Sequence, residues 1–99
     1  MRIIAIKTIK DFWENQKYKD SEQALRAWYA EIKKENWKSS NDIKQKYKSA
    51  SIVGKNRIIF NIKGNKYRLI IAVRYKFKIV FIRFIGTHAQ YDKIDVKNI

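Results

Sequence analysis

Three β-type segments in succession constrain this 99-residue chain more than any other feature: Arg57 to Lys63, Lys66 to Tyr75 and Lys78 to Ile85, rich in Ile, Val, Phe and Tyr. Gly64-Asn65, between the first two, is a two-residue hairpin turn. A turn there sets the register, so that Asn61 faces Arg68 and Lys63 faces Lys66, and facing residues share a side of the sheet. If the next loop holds an even number of residues, such as Lys76-Phe77, Arg68 faces Ile85 and Ile70 faces Arg83. One side then collects Ile58, Phe60, Ile62, Tyr67, Leu69, Ile71, Val73, Val80, Ile82 and Phe84. The other carries Arg57, Asn61, Lys63, Lys66, Arg68, Arg74 and Arg83 around an apolar floor of Ile59, Ile70, Ala72 and Phe81. An odd loop would move Arg83 into the apolar set, where an unpaired charge is costly, so the pattern favours the even register.

The apolar side needs a cover, and the first half of the chain supplies it. Arg2 to Ile6 reads as a short strand, and Thr8-Ile-Lys-Asp11 is a helix start signal ahead of Phe12 and Trp13. A second start at Asp20 or Ser21 leads into Ala24, Leu25, Trp28 and Ile32 at helical spacing, extending toward Trp37, with Lys33, Lys34 and Glu35 on the other side. Such an aromatic stripe at helical spacing is core rather than a base-stacking platform. Ser40 or Asn41 caps a short third helix holding Ile43 and Tyr47, and Ser49, Ser51 and Gly54 mark a loop. The expected fold class is α+β, one domain over 1–99 in the order βααβββ, with an antiparallel sheet packed on one face by N-terminal helices.

Lys and Arg number 23 against 9 Asp and Glu, a formal net charge of +14. An imbalance of this size raises affinity for polyanions, so a nucleic acid, an acidic protein, or both are expected partners. The basic side of the sheet suits single-stranded nucleic acid, with Arg57, Asn61, Lys63, Lys66 and Arg74 as RNA-binding candidates. A merely solvated side of an antiparallel sheet has the same composition, so strand cations alone do not decide. The absence of Cys excludes disulfides and thiolate metal sites and fits a reducing compartment. No apolar run approaches the roughly 20 residues of a membrane span, and Met1 to Lys10 lacks the apolar stretch of a secretory signal. A cytoplasmic location and no membrane partner are expected.

The single histidine lies in Gly86-Thr-His-Ala-Gln-Tyr-Asp92, with a tyrosine three residues on, a spacing that puts His88 and Tyr91 on one side of a turn or short helix. Cleaving RNA needs a group to take the 2′-hydroxyl proton, a group to protonate the leaving 5′-oxygen, and cations for the charge that builds on phosphorus. His88 and Tyr91 suit the proton transfers in either order, and Arg68, Arg83 and Lys63 suit the charge. A lone histidine is also often an incidental surface residue. With one His, no Cys, scattered Asp residues and only Gly54, Gly64 and Gly86, neither a metal cluster nor a glycine-rich phosphate loop can be built, so chemistry without a metal or cofactor is expected.

Two stretches, Phe60-Asn-Ile-Lys-Gly-Asn-Lys-Tyr-Arg-Leu-Ile-Ile and Ile82-Arg-Phe-Ile-Gly-Thr-His-Ala-Gln-Tyr-Asp-Lys-Ile, closely resemble the HigB branch of the RelE superfamily. So do Asp-Phe-Trp and Ala-Leu-Arg-Ala-Trp in the helical part, and the likeness covers almost the whole chain. The resemblance implies a βααβββ toxin, an endoribonuclease or mRNA interferase that cuts messenger RNA, in most relatives in the ribosomal A site, and an antitoxin with a helix-turn-helix domain, like HigA. It places the superfamily arginine at Arg68, a basic residue of the preceding strand at Lys63 and the C-terminal catalytic tyrosine at Tyr91. His88 fits the Thr-His-x-x-Tyr-Asp pattern of the HigB branch, where better-known RelE toxins place an arginine. The division of acid and base roles between His88 and Tyr91 therefore stays open, with Arg68 and Arg83 as the cations at the reacting phosphate. A non-enzymatic basic module that binds RNA or DNA is the alternative reading, and a ribosome-associated structural protein a third.

Overall fold

The computed structural model describes residues 1–54 and 56–99. Five strands form one mixed sheet: β1 (Arg2–Ile4), β2 (Ser51–Val53), β3 (Arg57–Ile62), β4 (Tyr67–Arg74) and β5 (Ile79–Thr87), in the order β1-β5-β4-β3-β2. The helices are α1 (Ile6–Glu14), α2 (Glu22–Lys33), α3 (Ser40–Lys46) and the single turn α4 (His88–Tyr91), with a 3-10 segment Gln16–Ser21 leading into α2. The α+β reading holds. The meander β3-β4-β5 is antiparallel as expected, but β1 adds a parallel edge beside β5, and the segment around Ser51, read as loop, is the opposite edge strand β2. Among the described residues no helix is long and apolar enough to cross a membrane.

Helix boundaries shift slightly from the capping signals. Helix α1 begins at Ile6, two residues before Thr8, from a cap at Ala5 whose side chain makes no hydrogen bond, while α2 starts directly after Ser21. Trp37 lies beyond the end of α2 but is buried all the same. The core lies between the helices and one side of the sheet: Ile9, Trp13, Leu25, Trp28, Ile32, Trp37 and Ile43 pack on Ile58, Phe60, Ile62, Tyr67, Leu69, Ile71, Val73, Val80 and Ile82. Nine of the ten residues assigned to the apolar side are therefore core. The exception is Phe84.

Its displacement has a local cause. Next to the β4–β5 connection the register is the even one, with Ala72 facing Phe81 and Val73 facing Val80, and the connection is a 3-10 turn at Tyr75–Phe77 closed by Lys78 at φ 58°. Between Ile70 and Ile71 the pairing shifts by one residue, because Arg83 is an extra residue on β5. Beyond this bulge Ile70 faces Phe84 and Arg68 faces Gly86, in place of the expected Arg83 and Ile85. Ile85 thereby turns to the helical core and Phe84 leaves it. A bulge is a way to place two successive side chains on one side of a strand, and here it sets Phe84 on the same side as Arg83, which the even register already keeps out of the core.

The second side of the sheet is only partly open. Ile59, Ile70 and Ala72, expected as an accessible floor, are 3%, 0% and 2% exposed although no helix of the core cluster covers them. The C-terminal segment returns to this side of the sheet, with Ile94, Val96 and Ile99 half-buried and the carbonyl of Ile99 held by Arg57 on β3.

Candidate active site

The cluster forms where the β3–β4 turn, the start of β4 and the end of β5 meet. Thr87 caps α4: its hydroxyl accepts from the Gln90 backbone N–H at 3.2 Å, and the Gln90 side-chain oxygen accepts from the Thr87 N–H at 2.9 Å. This reciprocal cap turns the chain so that His88 and Tyr91 lie beside β4. Arg68 Nε donates to His88 Nε2 at 3.3 Å, and the Arg68 guanidinium sits 5.2 Å from the centre of the Tyr91 ring. His88 Nε2 also meets the carbonyl oxygen of Asn65 in the β3–β4 turn. One ring nitrogen carries either a proton or a lone pair, so with a proton His88 donates to Asn65 and without it accepts from Arg68. Gly86 faces Arg68 across the sheet, and a Cβ there would fall 2.6 Å from both Phe84 Cζ and Gln90 Oε1, so any side chain at this position would have to push one of them aside.

The structure separates the other candidates. Asn61 faces Arg68 and stays beside the cluster. Arg83, at the bulge, is exposed on the same side, with its guanidinium 5.2 Å from the Phe81 ring centre. Arg57, expected to bind RNA, is instead committed to the tail: it donates to the Ile99 carbonyl at 3.2 and 2.7 Å and to Asn56 Oδ1 at 2.8 Å. Lys66 turns to the helical side and pairs with Asp20, whose other oxygen accepts from the Tyr67 hydroxyl at 2.6 Å. Lys63 sits in the turn at φ 57°, where it lines an open concavity of about 420 Å³ with Lys19, Asp20, Glu22, Gln23 and Arg26, away from Arg68, His88 and Tyr91. Arg74 is exposed at the far end of β4, six positions from Arg68 or about 20 Å at the usual strand rise.

A family model for the HigB toxin, described as the RelE-like toxic component of a toxin-antitoxin system, matches residues 21–94, about three quarters of the chain and all of the cluster just described. The chain belongs to the HigB toxin family. It is accordingly the toxin of a toxin-antitoxin system, and membership implies an antitoxin partner. No curated protein matches the chain.

The toxin divides its charge unevenly. From Ile43 through Tyr91 there is no carboxylate, whereas the helical layer before it holds seven, at Asp11, Glu14, Asp20, Glu22, Glu31, Glu35 and Asp42. Several of these neutralise nearby cations, in the pairs Lys7–Asp11, Arg26–Glu22, Lys46–Glu35 and Lys66–Asp20. The Lys66 ammonium, and next to it the Tyr67 hydroxyl, hold the Asp20 carboxyl below its ordinary range. The sheet cations Arg68 and Arg83 make no such pair among the described residues.

Pattern reading missed several groups that shape the cluster of the toxin. The Asn65 contact is made by a backbone carbonyl, which no side-chain motif announces. Gln90 was legible as the fourth residue of a Thr-x-x-Gln capping box, and its amide also reaches the Tyr18 hydroxyl at 3.4 Å, tying α4 to the 3-10 segment before α2. Phe84 and Gly86 depend on the bulge and on each other. Among the described residues no three His, Asp or Glu side chains gather as a metal ligand set would.

Proposed function

We propose that this toxin is an endoribonuclease, an mRNA interferase that cuts messenger RNA in the ribosomal A site, in the cytoplasm, and is silenced by a helix-turn-helix antitoxin of the HigA type. The observation that carries the reading is the convergence of Arg68, His88 and Tyr91, all half-buried, at one end of the central strands of a carboxylate-free sheet. A polymeric substrate suits such a site better than an enclosed pocket. Phosphates arriving there meet uncompensated guanidinium groups, which bind them bidentately.

In this mechanism the 2′-oxygen attacks the adjacent phosphorus as His88 or Tyr91 removes its proton. The bond from phosphorus to the 5′-oxygen breaks, and the other residue delivers a proton to that oxygen. The products are a 2′,3′-cyclic phosphate and a 5′-hydroxyl, and no atom is left unbalanced. Arg68, fixed between the His88 ring and the Tyr91 face, supplies a positioned charge for the pentacovalent transition state, and Arg83 supplies a second. Because Arg68 already touches both proton-transfer candidates, binding a phosphate to its guanidinium brings the reacting oxygens to them without a large rearrangement.

The test is cleavage of a ribosome-bound message by purified toxin, with the new ends analysed chemically. A 2′,3′-cyclic phosphate end whose formation survives chelation of divalent cations supports the reading, provided ribosome integrity is checked separately. Salt-dependent RNA binding with no cut product under any ribosome condition would favour a non-enzymatic binding module instead.

A further inference from the structure

Phe84 is the residue whose place the bulge decides. Without the extra residue at Arg83, strict alternation from Ile82 would send Phe84 into the helical core, and with it Ile85 takes that position while Phe84 faces Ile70 on the second side of the sheet. The ring is half-buried and exposed in part. Its Cζ fills the space that a side chain on Gly86 would need, and Gly86 is the residue facing Arg68. Phe84 thus lies one cross-strand pair from Arg68 on the same side of the sheet, with the exposed Arg83 on the preceding position of its strand.

We infer that Phe84 is a stacking platform for a nucleobase of single-stranded RNA, the base attached next to the phosphate that Arg68 holds. The inference rests on the nuclease reading for the identity of that phosphate. An apolar ring on the same side of the sheet as two guanidinium groups that meet no carboxylate among the described residues is what an unstacked nucleotide needs, since the cations take its phosphate and the ring takes the π-face of its base. A peptide segment from an acidic partner would also find cations here, but would leave the flat ring without a matching planar surface. The register shift at Arg83 gives up one step of ladder pairing, and what it delivers is an aromatic ring one cross-strand pair from Arg68.

Non-cleavable 2′-O-methyl RNA carrying a single 2-aminopurine at successive positions reports stacking directly, because the fluorophore is quenched when its base stacks. Wild-type toxin should quench it at one position, Phe84→Trp should keep the quenching, and Phe84→Leu, which retains apolar bulk, should lose it and bind about five- to a hundredfold more weakly. Melting of each variant separates loss of stacking from loss of fold. Equal affinity and equal quenching in folded Phe84→Leu overturn the stacking assignment and leave the nuclease reading untouched. Quenching that depends on Phe84 in a protein that cuts no RNA overturns the nuclease reading and leaves the platform standing.

Discussion

The two sides of the sheet are built by opposite rules. On the helical side every sheet residue from Ile58 to Ile82 that faces inward is apolar and buried, and several of the nearby acids are matched with Lys or Arg. On the other side Arg68 and Arg83 have no carboxylate partner among the described residues, two aromatic rings stay partly exposed, and Arg57 holds the C-terminal tail. Self-repulsion among these cations disfavours the compact state, so the second side is maintained at the expense of stability that the first side provides. The comparison teaches where to look: residues that cost stability without packing are the ones that bear on function.

The largest effect should come from the helical side. Leu25→Ala removes a fully buried side chain and should cost about 2–5 kcal/mol of stability, read by denaturant unfolding, while the fraction that remains folded keeps its cleavage rate. A proportionate loss of rate per folded molecule would break the division between the two sides. Gly86→Ala should do the reverse: the fold persists, but the new Cβ displaces Phe84 or breaks the Gln90 cap beside Arg68, and a shift of about 1 Å there lowers the rate about a hundredfold. An unchanged rate in this variant would mean that the placement of α4 is not critical.

Smaller effects sharpen the boundary. Arg57→Ala should release the C-terminal segment and cost about 1–2 kcal/mol, seen as lower melting and faster amide exchange at Ile59 and Ile70, with RNA affinity lowered only slightly because this guanidinium is already committed. A large drop in affinity would return Arg57 to the RNA-binding set. Asp20→Asn gives the smallest and most conditional change. The Asp20 carboxyl is held below its ordinary range by Lys66 and Tyr67, so its contribution to stability is present above the unfolded pKa of about 3.9 and is lost as the pH falls through the lower folded value. The melting difference between wild type and Asp20→Asn should therefore be visible at neutral pH and shrink below about pH 4, and a pH-independent difference would contradict the pairing.

Much of this arrangement was legible in the sequence because hydrophobic alternation and one tight turn leave few options. The pairing of Asn61 with Arg68, the apolar face and the aromatic stripe of α2 all follow from spacing. The bulge does not, since Phe84 and Ile85 are both apolar and either one satisfies the core. The strand at Arg2–Ile4 was legible but its parallel partner was not, since Arg2 meets Ile79 far along the chain, and the three residues of β2 carry too little pattern to be read. The placement of His88 and Tyr91 on one short helix follows from their spacing. The roles of Lys66 and Arg57 could not be read locally, because their partners Asp20 and Ile99 are 46 and 42 residues away.

The central claim is that Arg68, His88 and Tyr91 act as one chemical unit on RNA. Its most direct test is single-turnover cleavage by Arg68→Ala, His88→Gln and Tyr91→Phe, each compared with wild type over a range of pH. Arg68→Ala should lose about a hundred- to a thousandfold and the other two about a hundred- to ten-thousandfold, with RNA affinity largely kept in His88→Gln and Tyr91→Phe. Folded variants that cut at the wild-type rate at every pH would contradict the account and leave the cluster without a role in the chemistry.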